Sequence, residues 1–231
     1  MKARVSMPYV LMYHSVENFD EDPYLITVTP ARFAAQMNWL AKRGLRGVAM
    51  RELLPAGRSR GLVGLTFDDG YADFTAHALP VLLRHGFTAT VFAVAGQLGL
   101  ANDWDRRGPR KKLMTGAELR QVAAAGMEIG SHTLTHRSLT GAPAAEVEHE
   151  VKASKVALEE ALDLEISGFA YPYGHHDDPA VDAVRAAGYT YACAIRPAQA
   201  GPHTLPRTYI GEHDRRLRMT AKRLRHRWTW R

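Results

Sequence analysis

Two pairs of polar residues have the types and the spacing that metal-assisted hydrolysis requires. The segment LTFDDGY carries the adjacent carboxylates Asp68 and Asp69, and the segment SHTLTH carries His132 and His136, which are four residues apart. A four-residue spacing places two imidazoles on one side of a helical turn, within reach of one cation. Two histidines and one carboxylate with open positions form a catalytic metal site, for example for zinc. The alternatives are two separate surface histidines and an ordinary Asp-Asp-Gly turn.

The two aspartates would repel each other in a low-dielectric site, and a bound cation removes that conflict. If Asp69 binds the cation, its negative charge is compensated. Asp68 then stays free as a general base for a water whose pKa the cation lowers toward about 7. Gly70 permits a sharp turn, so that both neighbouring side chains can face the same site.

Buried strands alternate with helices along the chain, and this alternation positions the polar residues. Strands are predicted at residues 9–13, 62–67, 88–95, 127–131, 167–171 and 189–195, and helices at 29–44, 71–86, 115–126, 144–162 and 178–188. The pattern indicates parallel strands with helical crossovers, in either a barrel or a doubly wound sheet. Both folds form their sites at the carboxyl ends of the strands. The polar residues predicted at that edge include His14, Asp68, Asp69, His132, His136 and Tyr173.

Three motifs resemble, in order and spacing, the leading motifs of the polysaccharide deacetylases, the family 4 carbohydrate esterases with a NodB-type homology domain. They are TFDDG at 66–70, SHTLTH at 131–136 and FAYPYG at 169–174, and the resemblance extends from about residue 8 to about residue 211. It implies a distorted (β/α)7 barrel in one domain, expected here over residues 1–214. It also implies metal-dependent removal of an acetyl group from a sugar, with one divalent ion, zinc before cobalt, nickel or manganese.

The same resemblance assigns roles to individual residues. The implied general base is Asp68, and the implied metal ligands are Asp69, His132 and His136. Pro172 and Tyr173 are expected to contact substrate, and the backbone N–H of Tyr173 to stabilise the oxyanion. The family's third motif often has an arginine two residues before its proline, where this chain has Ala170. The group that orients the base is therefore expected to come from elsewhere in the chain.

His14 is the predicted general acid. The segment YVLMYHSV resembles the start of the branch that de-N-acetylates poly-β-1,6-N-acetylglucosamine, in which the motif order is circularly permuted. Because the first and last strands of a closed barrel are neighbours, His14 can occupy a place that is usually filled from the last strand. The alternatives are that His14 is a buried histidine capping a strand, and that His213 is the acid.

Two further segments bear on substrates and partners. Trp104, in the long polar segment 96–114, either stacks on a sugar ring or packs into the domain surface. Residues 215–231 form a basic tail or helix and hold much of the net charge of +6, so that the remaining chain is near neutral. Arginines interleaved with leucines and tryptophans suit an anionic membrane surface or a phosphate-bearing substrate, with a solvated terminal helix as the alternative.

Composition argues against several classes of protein. The single cysteine, Cys193, excludes an internal disulfide framework, and no segment approaches the roughly 18 apolar residues of a membrane span. The excess of basic over acidic residues is confined to one terminus, which argues against a nucleic-acid binder. The N-terminal residues lack an apolar stretch of signal-peptide length. We therefore expect a cytoplasmic protein or one peripheral at the cytoplasmic membrane face, or an extracellular one if the sequence is a trimmed form of a secreted chain.

The leading functional hypothesis is removal of N-acetyl groups from amino sugars in a poly- or oligosaccharide. The first alternative is deacetylation or deformylation of a lipid-linked, nucleotide-linked or small amino sugar. The second alternative is a non-catalytic carbohydrate-binding module that retains the fold. The oligomeric state is left open.

Overall fold

The computed structural model describes residues 7–56 and 61–230, in which short strands alternate with helices. The strands are β1 (Val10–Tyr13), β2 (Ser15–Val16), β3 (Thr27–Val28), β4 (Arg46–Val48), β5 (Leu62–Phe67), β6 (Thr90–Ala93), β7 (Glu128–Ser131), β8 (Gly168–Ala170), β9 (Tyr191–Ala194), β10 (Leu205–Pro206) and β11 (Thr208–Tyr209). The helices are α1 (Pro30–Ala41), α2 (Met50–Leu53), α3 (Leu79–Arg84), α4 (Gly116–Ala124), α5 (Ala144–Leu162), α6 (Asp178–Ala186) and α7 (Arg216–Thr229). The first six residues, on which the expectation about a signal segment partly depends, lie outside the described residues.

The main sheet closes into a barrel through one segment near the C-terminus. Its strand order is β10-β9-β8-β7-β6-β5-β1-β11, and the neighbouring strands run parallel. Only Arg207 separates β10 from β11, so this one segment pairs with β9 at one end of the order and with β1 at the other. The predicted barrel is confirmed, and the doubly wound alternative is wrong. The carboxyl ends of the strands form one edge, which we call the barrel mouth.

Local sequence signals set the helix ends. The side chain of Thr29 accepts a hydrogen bond from the backbone of Arg32 at the start of α1. Thr115 and Glu118 cap each other's backbone groups at the start of α4, and together they form a capping box. These caps satisfy N–H groups that have no partner within the helix.

The predicted helix at residues 71–86 differs from the observed one at its start. A π-helical stretch, Phe74–Ala78, precedes α3. Pro80 lies at the junction and has no N–H to donate, so the regular hydrogen-bond ladder is interrupted there. The π-helical stretch therefore changes to a regular α-helix at this proline.

An aromatic cluster fixes the strand ends that lead into the barrel mouth. The rings of Tyr13 and Phe67 stack with their centroids 5.3 Å apart, and the ring of Phe33 meets that of Tyr13 edge-on at 5.4 Å. All three side chains are buried, and each such burial contributes roughly 1.5–3 kcal/mol to folding. Because Tyr13 precedes His14 and Phe67 precedes Asp68, this packing holds both polar residues in register.

The C-terminal helix α7 packs along the outside of the barrel. Met219 and His226 are buried against it, and the N–H of Met7 donates to the carbonyl of Trp230 at the far end. Lys222 donates to the carbonyl of Tyr209. Among the described residues, none of the helices combines the length and the apolarity needed to cross a bilayer.

Cys193 in β9 is fully buried, and burial raises the pKa of its thiol to about 12. A thiol with such a pKa stays protonated at neutral pH and is unreactive. Cys193 is therefore a small buried residue of the core.

Candidate active site

Polar side chains from several strand ends converge at the barrel mouth. His14 follows β1, Asp68 and Asp69 follow β5, and His132 follows β7. This is the placement expected from the sequence, because parallel strands end at the same edge. It brings together residues that lie far apart in the chain.

Asp69, His132 and His136 form a buried cluster. One potential ligand atom from each residue lies within 4.8 Å of the others. Nε2 of His136 and Nε2 of His132 lie 3.2 Å and 3.4 Å from Oδ1 of Asp69. That carboxylate oxygen has no hydrogen-bond partner among the described residues. A buried carboxylate oxygen without a donor, facing two imidazole nitrogens, fits a divalent cation.

The protonation of His132 suits a metal ligand. Its Nδ1 lies 2.8 Å from the carbonyl oxygen of Ala170, which can only accept, so Nδ1 carries the proton and Nε2 keeps its lone pair. Burial lowers the pKa of His132 to about 4. The imidazole is therefore neutral at neutral pH, which is the form that binds metals.

Left-handed backbone conformations orient the cluster. Asp69 has a φ of 71°, Gly70 a φ of 74°, Thr133 a φ of 67° and His136 a φ of 64°. Consecutive side chains on a strand would alternate between faces, and the turn at Asp69 and Gly70 brings both aspartates to one site. Such conformations in non-glycine residues cost free energy and concentrate at functional sites.

Glu150 of α5 holds the loop that carries His136. Its Oε2 accepts hydrogen bonds from the N–H groups of Leu134 and Thr135, both at 2.9 Å, and its Oε1 accepts from the Thr135 hydroxyl. Glu150 could not be singled out from the sequence, because the helix that carries it contains several other glutamates and lysines. It fixes the irregular turn between the two histidines.

Arg207 supplies the partner of Asp68. Its Nη1 and Nη2 donate to Oδ1 and Oδ2 of Asp68 at 2.5 Å and 2.8 Å, and both side chains are buried. Burial raises the pKa of Asp68, but the charge and hydrogen bonds of Arg207, with smaller contributions from the neighbouring histidines, lower it more, and the pKa lies below its ordinary value. Asp68 is therefore ionised at neutral pH. The group that was expected to orient Asp68 from elsewhere in the chain is this arginine.

Sequence reasoning did not identify Arg207, although a signal was present. The residue lies within the segment LPRTYI, and an arginine inside a buried strand requires a carboxylate partner. What the sequence could not show is which carboxylate it meets, because that depends on closure of the barrel between β10 and β11.

His14 lies on the other side of Asp68, with its Nε2 3.9 Å from Oδ2 of that residue. The adjacent backbone is fixed by Asp73, whose carboxylate accepts from the Ser15 hydroxyl at 2.6 Å and from the Val16 N–H at 2.9 Å. His14 is mostly buried but keeps some exposure at the mouth. His213 instead lies exposed beside α7, where it lines a surface cavity.

Two aromatic side chains border the cluster. The ring of Trp104 stacks on the imidazole of His136, with centroids 4.3 Å apart and planes 17° apart. Tyr173 meets the same imidazole edge-on at 4.9 Å, is about half exposed at 49%, and has a φ of 60°. Pro172 is buried beside it. Trp104 thus lies at the mouth, at the rim of the cluster, where a ligand in the mouth would meet it.

The chain is similar in sequence to known and provisionally named polysaccharide deacetylases. A family model described as "Polysaccharide deacetylase" matches residues 56–192. The Bacillus subtilis (strain 168) protein YxkH, named only provisionally as a polysaccharide deacetylase, is 28% identical over 196 residues, which are 83% of this chain and 65% of that protein. The poly-β-1,6-N-acetyl-D-glucosamine N-deacetylase of Escherichia coli (strain K12) is 24% identical over 217 residues. That match covers 78% of this chain and 32% of the Escherichia coli protein.

Solved structures show the same fold. The Streptococcus pyogenes deacetylase PplD, determined in complex with acetate, superposes with a TM-score of 0.79 at 23% identity. The superposition covers 95% of this chain and 99% of that one. The chain described here spans less than two thirds of the Bacillus subtilis and Escherichia coli relatives.

Proposed function

We propose that this chain, which belongs to the polysaccharide deacetylase family, is a metal-dependent hydrolase that removes the N-acetyl group from an amino sugar in a poly- or oligosaccharide. The observation that carries the proposal is the buried Asp69–His132–His136 cluster beside the ionised Asp68. The name of the Escherichia coli relative supports an N-acetylglucosamine polymer as the substrate class.

The cluster would hold one divalent ion, with zinc before cobalt, nickel or manganese. Two imidazoles and one carboxylate with open positions form a catalytic zinc site. When bound, this ion supplies Lewis-acid polarisation of the acetyl carbonyl and lowers the pKa of a water. The unpartnered Oδ1 of Asp69 is a buried carboxylate oxygen whose charge such an ion would compensate.

The chain's own residues move the protons. Asp68, ionised and held by Arg207, accepts the proton of the attacking water. Each of its oxygens has a second lone pair that Arg207 does not occupy. The backbone N–H of Tyr173 donates to the developing oxyanion. His14 then protonates the leaving amine, and acetate and a free amino sugar are released.

The aromatic rim would contact the sugar. Trp104 is held in place by its stacking on His136, so it can present its outer face to a sugar ring without ordering a loop. Pro172 and Tyr173 border the other side of the same imidazole. A rim of this kind orients a neutral glycan with few charged contacts.

The test combines metal analysis with acetate release from a panel of substrates. The panel contains N-acetylglucosamine, its β-1,6-linked oligomers, and a lipid-linked N-acetyl sugar. We expect about one metal per chain, acetate release from the oligomers, loss of activity with a chelator and recovery with zinc or cobalt. Absence of bound metal, or no release from any acetylated sugar in excess zinc or cobalt, would exclude the proposed function.

Replacing His14 with alanine is expected to leave the fold intact and lower turnover by about 100- to 10,000-fold, the usual contribution of a general acid. The reason is that His14 is the imidazole next to Asp68 that metal binding does not use. Acetate release and circular dichroism measure the two effects. The matched control is His175→Ala, an exposed histidine near the mouth. Unchanged turnover in His14→Ala would move the acid role to another group, with His213 first.

Replacing Glu150 with glutamine is expected to weaken metal binding about tenfold, a typical effect of altering groups that orient ligands. In the glutamine variant the Thr135 hydroxyl has to turn and accept from the amide NH2 group, and the N–H groups of residues 134 and 135 lose their charged acceptor, so the hydrogen bonds that hold this turn become weaker. Zinc titration against a competing chelator measures the affinity. Glu160→Gln, an exposed change on the same helix, is the control. Equal affinities in the two variants would contradict the positioning role.

A further inference from the structure

The outer face of α7 carries an exposed apolar strip. Leu217, Ala221, Leu224 and Trp228 are spaced by four, three and four residues, so they share one face of the helix. Leu217 is 86% exposed, Leu224 52% and Trp228 81%. The buried residue Met219 lies on the opposite face, against the barrel. Packing within the described chain therefore does not account for this strip.

Arginines line both sides of the strip. Arg216 and Arg227 lie along one side, and Arg218 and Arg225 along the other, as their spacings of eleven and seven residues require. All four are exposed, and within the described residues none of them forms an ion pair. The helix contains no aspartate or glutamate.

The positive charge is concentrated in this segment and its surroundings. Residues 215–231 contain eight arginines and lysines and no acidic residue, so the other 214 residues carry a net charge of −2 against +6 for the whole chain. Lys42 and Arg43 adjoin the start of α7 across one cavity, and Arg196 adjoins its end across another. The apolar strip thus lies in the middle of a basic surface.

We propose that the outer face of α7 binds the surface of an anionic lipid bilayer. An apolar strip flanked by arginines is typical of a helix that lies in the plane of the membrane–water interface. The apolar side chains of such a helix contact the acyl chains, and its arginines contact the lipid phosphates. A second copy of this face would bring arginines against arginines, which disfavours self-association. An acidic polymer would neutralise the arginines but leave Leu217 and Trp228 in water.

The orientation of α7 keeps the barrel mouth open in such a complex. The helix starts beside Asp214, just beyond the mouth end of β11, and ends where Trp230 accepts from Met7 before β1. It therefore runs along the side of the barrel from the mouth to the opposite edge. A bilayer on its outer face lies beside the mouth and does not cover it.

The experiment is sedimentation of the full chain with vesicles at about 0.1 M salt. We expect binding to vesicles of phosphatidylcholine and phosphatidylglycerol at a ratio of about 3:1, at least about tenfold weaker binding to phosphatidylcholine alone, and release at about 0.5 M salt, where screening is stronger. Quenching of tryptophan emission by brominated lipid should occur, and should be reduced in Trp228→Leu.

Matched variants separate the apolar and the charged contributions. Leu217→Ser with Trp228→Ser should weaken binding at least about tenfold, whereas Leu83→Ser with Val156→Ser, exposed apolar residues elsewhere, should not. Arg218→Gln with Arg225→Gln should weaken binding about 30-fold. Two arginines at an anionic surface each contribute to binding, and tenfold in affinity corresponds to about 1.4 kcal/mol. Arg84→Gln with Lys152→Gln removes the same charge elsewhere and is the control.

Three results would overturn the proposal. One is equal binding by the Leu217/Trp228 variant and its control. Another is a stable dimer, in solution without vesicles, that the Leu217/Trp228 variant breaks. The third is tighter binding to duplex DNA than to anionic vesicles, weakened by the arginine variant alone. Circular dichroism and acetate release from a small oligomer check that each variant is folded. Neither of these two measurements depends on lipid binding.

Discussion

Replacing Asp68 with asparagine is expected to lower turnover by about 100- to 10,000-fold while the metal stays bound. Asparagine has nearly the same shape, but its amide cannot take the proton of the attacking water. Asp68 is not one of the three residues whose ligand atoms converge. Metal content per chain and acetate release at saturating substrate measure the two effects separately.

Asp69→Asn is the matched variant at the neighbouring position. It should lose metal as well as activity, because it weakens the one carboxylate ligand of the cluster. If Asp68→Asn loses the metal and Asp69→Asn keeps it, the two roles are interchanged. Since asparagine at 68 leaves the charge of Arg207 buried without a counter-ion, the rates should be compared at a temperature where circular dichroism shows both variants folded.

Replacing Arg207 with methionine is expected to lower the free energy of unfolding by about 3–5 kcal/mol, because it leaves the buried carboxylate of Asp68 without its partner. Methionine fills a similar volume without a charge. Urea unfolding measures the change. Arg185→Met breaks an exposed pair with Asp182 and should cost about 1 kcal/mol or less.

The same variant should shift the pH dependence of the reaction. Arg207 is the leading group that lowers the pKa of Asp68 against the effect of burial, so its removal raises that pKa. Because the base works in its ionised form, the acidic limb of the kcat/KM profile should move to higher pH. Arg207→Lys keeps the charge but not the two-pronged hydrogen bond, so it should shift the profile less. An unchanged profile in Arg207→Met would contradict the assigned partnership.

The linkage to stability has a defined sign. The folded-state pKa of Asp68 lies below its ordinary value of 3.8, so ionised Asp68 stabilises the fold above that pH. This contribution is lost as the pH falls below 3.8 toward the folded-state pKa. In Arg207→Met the stabilising contribution of ionised Asp68 should be absent. The difference in unfolding free energy between the wild-type protein and Arg207→Met should therefore shrink at acid pH.

Longer elements could be predicted from the sequence because they carry their own signals. The helix at Ala144–Leu162 and the strand at Leu62–Phe67 have the predicted bounds. Strands such as Ser15–Val16 and Leu205–Pro206 were missed, because two residues are too few to show an alternating pattern. Their existence depends on a neighbouring strand to pair with.

For the site, the sequence by itself determined the residue types at the strand ends. The motifs TFDDG and SHTLTH follow buried strands, so the rule that parallel strands end at one edge was enough to bring Asp69, His132 and His136 together. The sequence also predicted a sharp turn at Gly70, and the structure has a left-handed backbone conformation there.

Only the tertiary structure decided what supports these residues. Arg207 meets Asp68 across 139 positions of the chain, and Glu150 reaches the loop before His136 from a helix that packs outside the barrel. A buried charge can be recognised in a sequence as needing a partner, but the partner is chosen by barrel closure. Closure of the barrel depends on packing between segments that are distant in the chain. No local sequence pattern therefore shows which carboxylate Arg207 will meet.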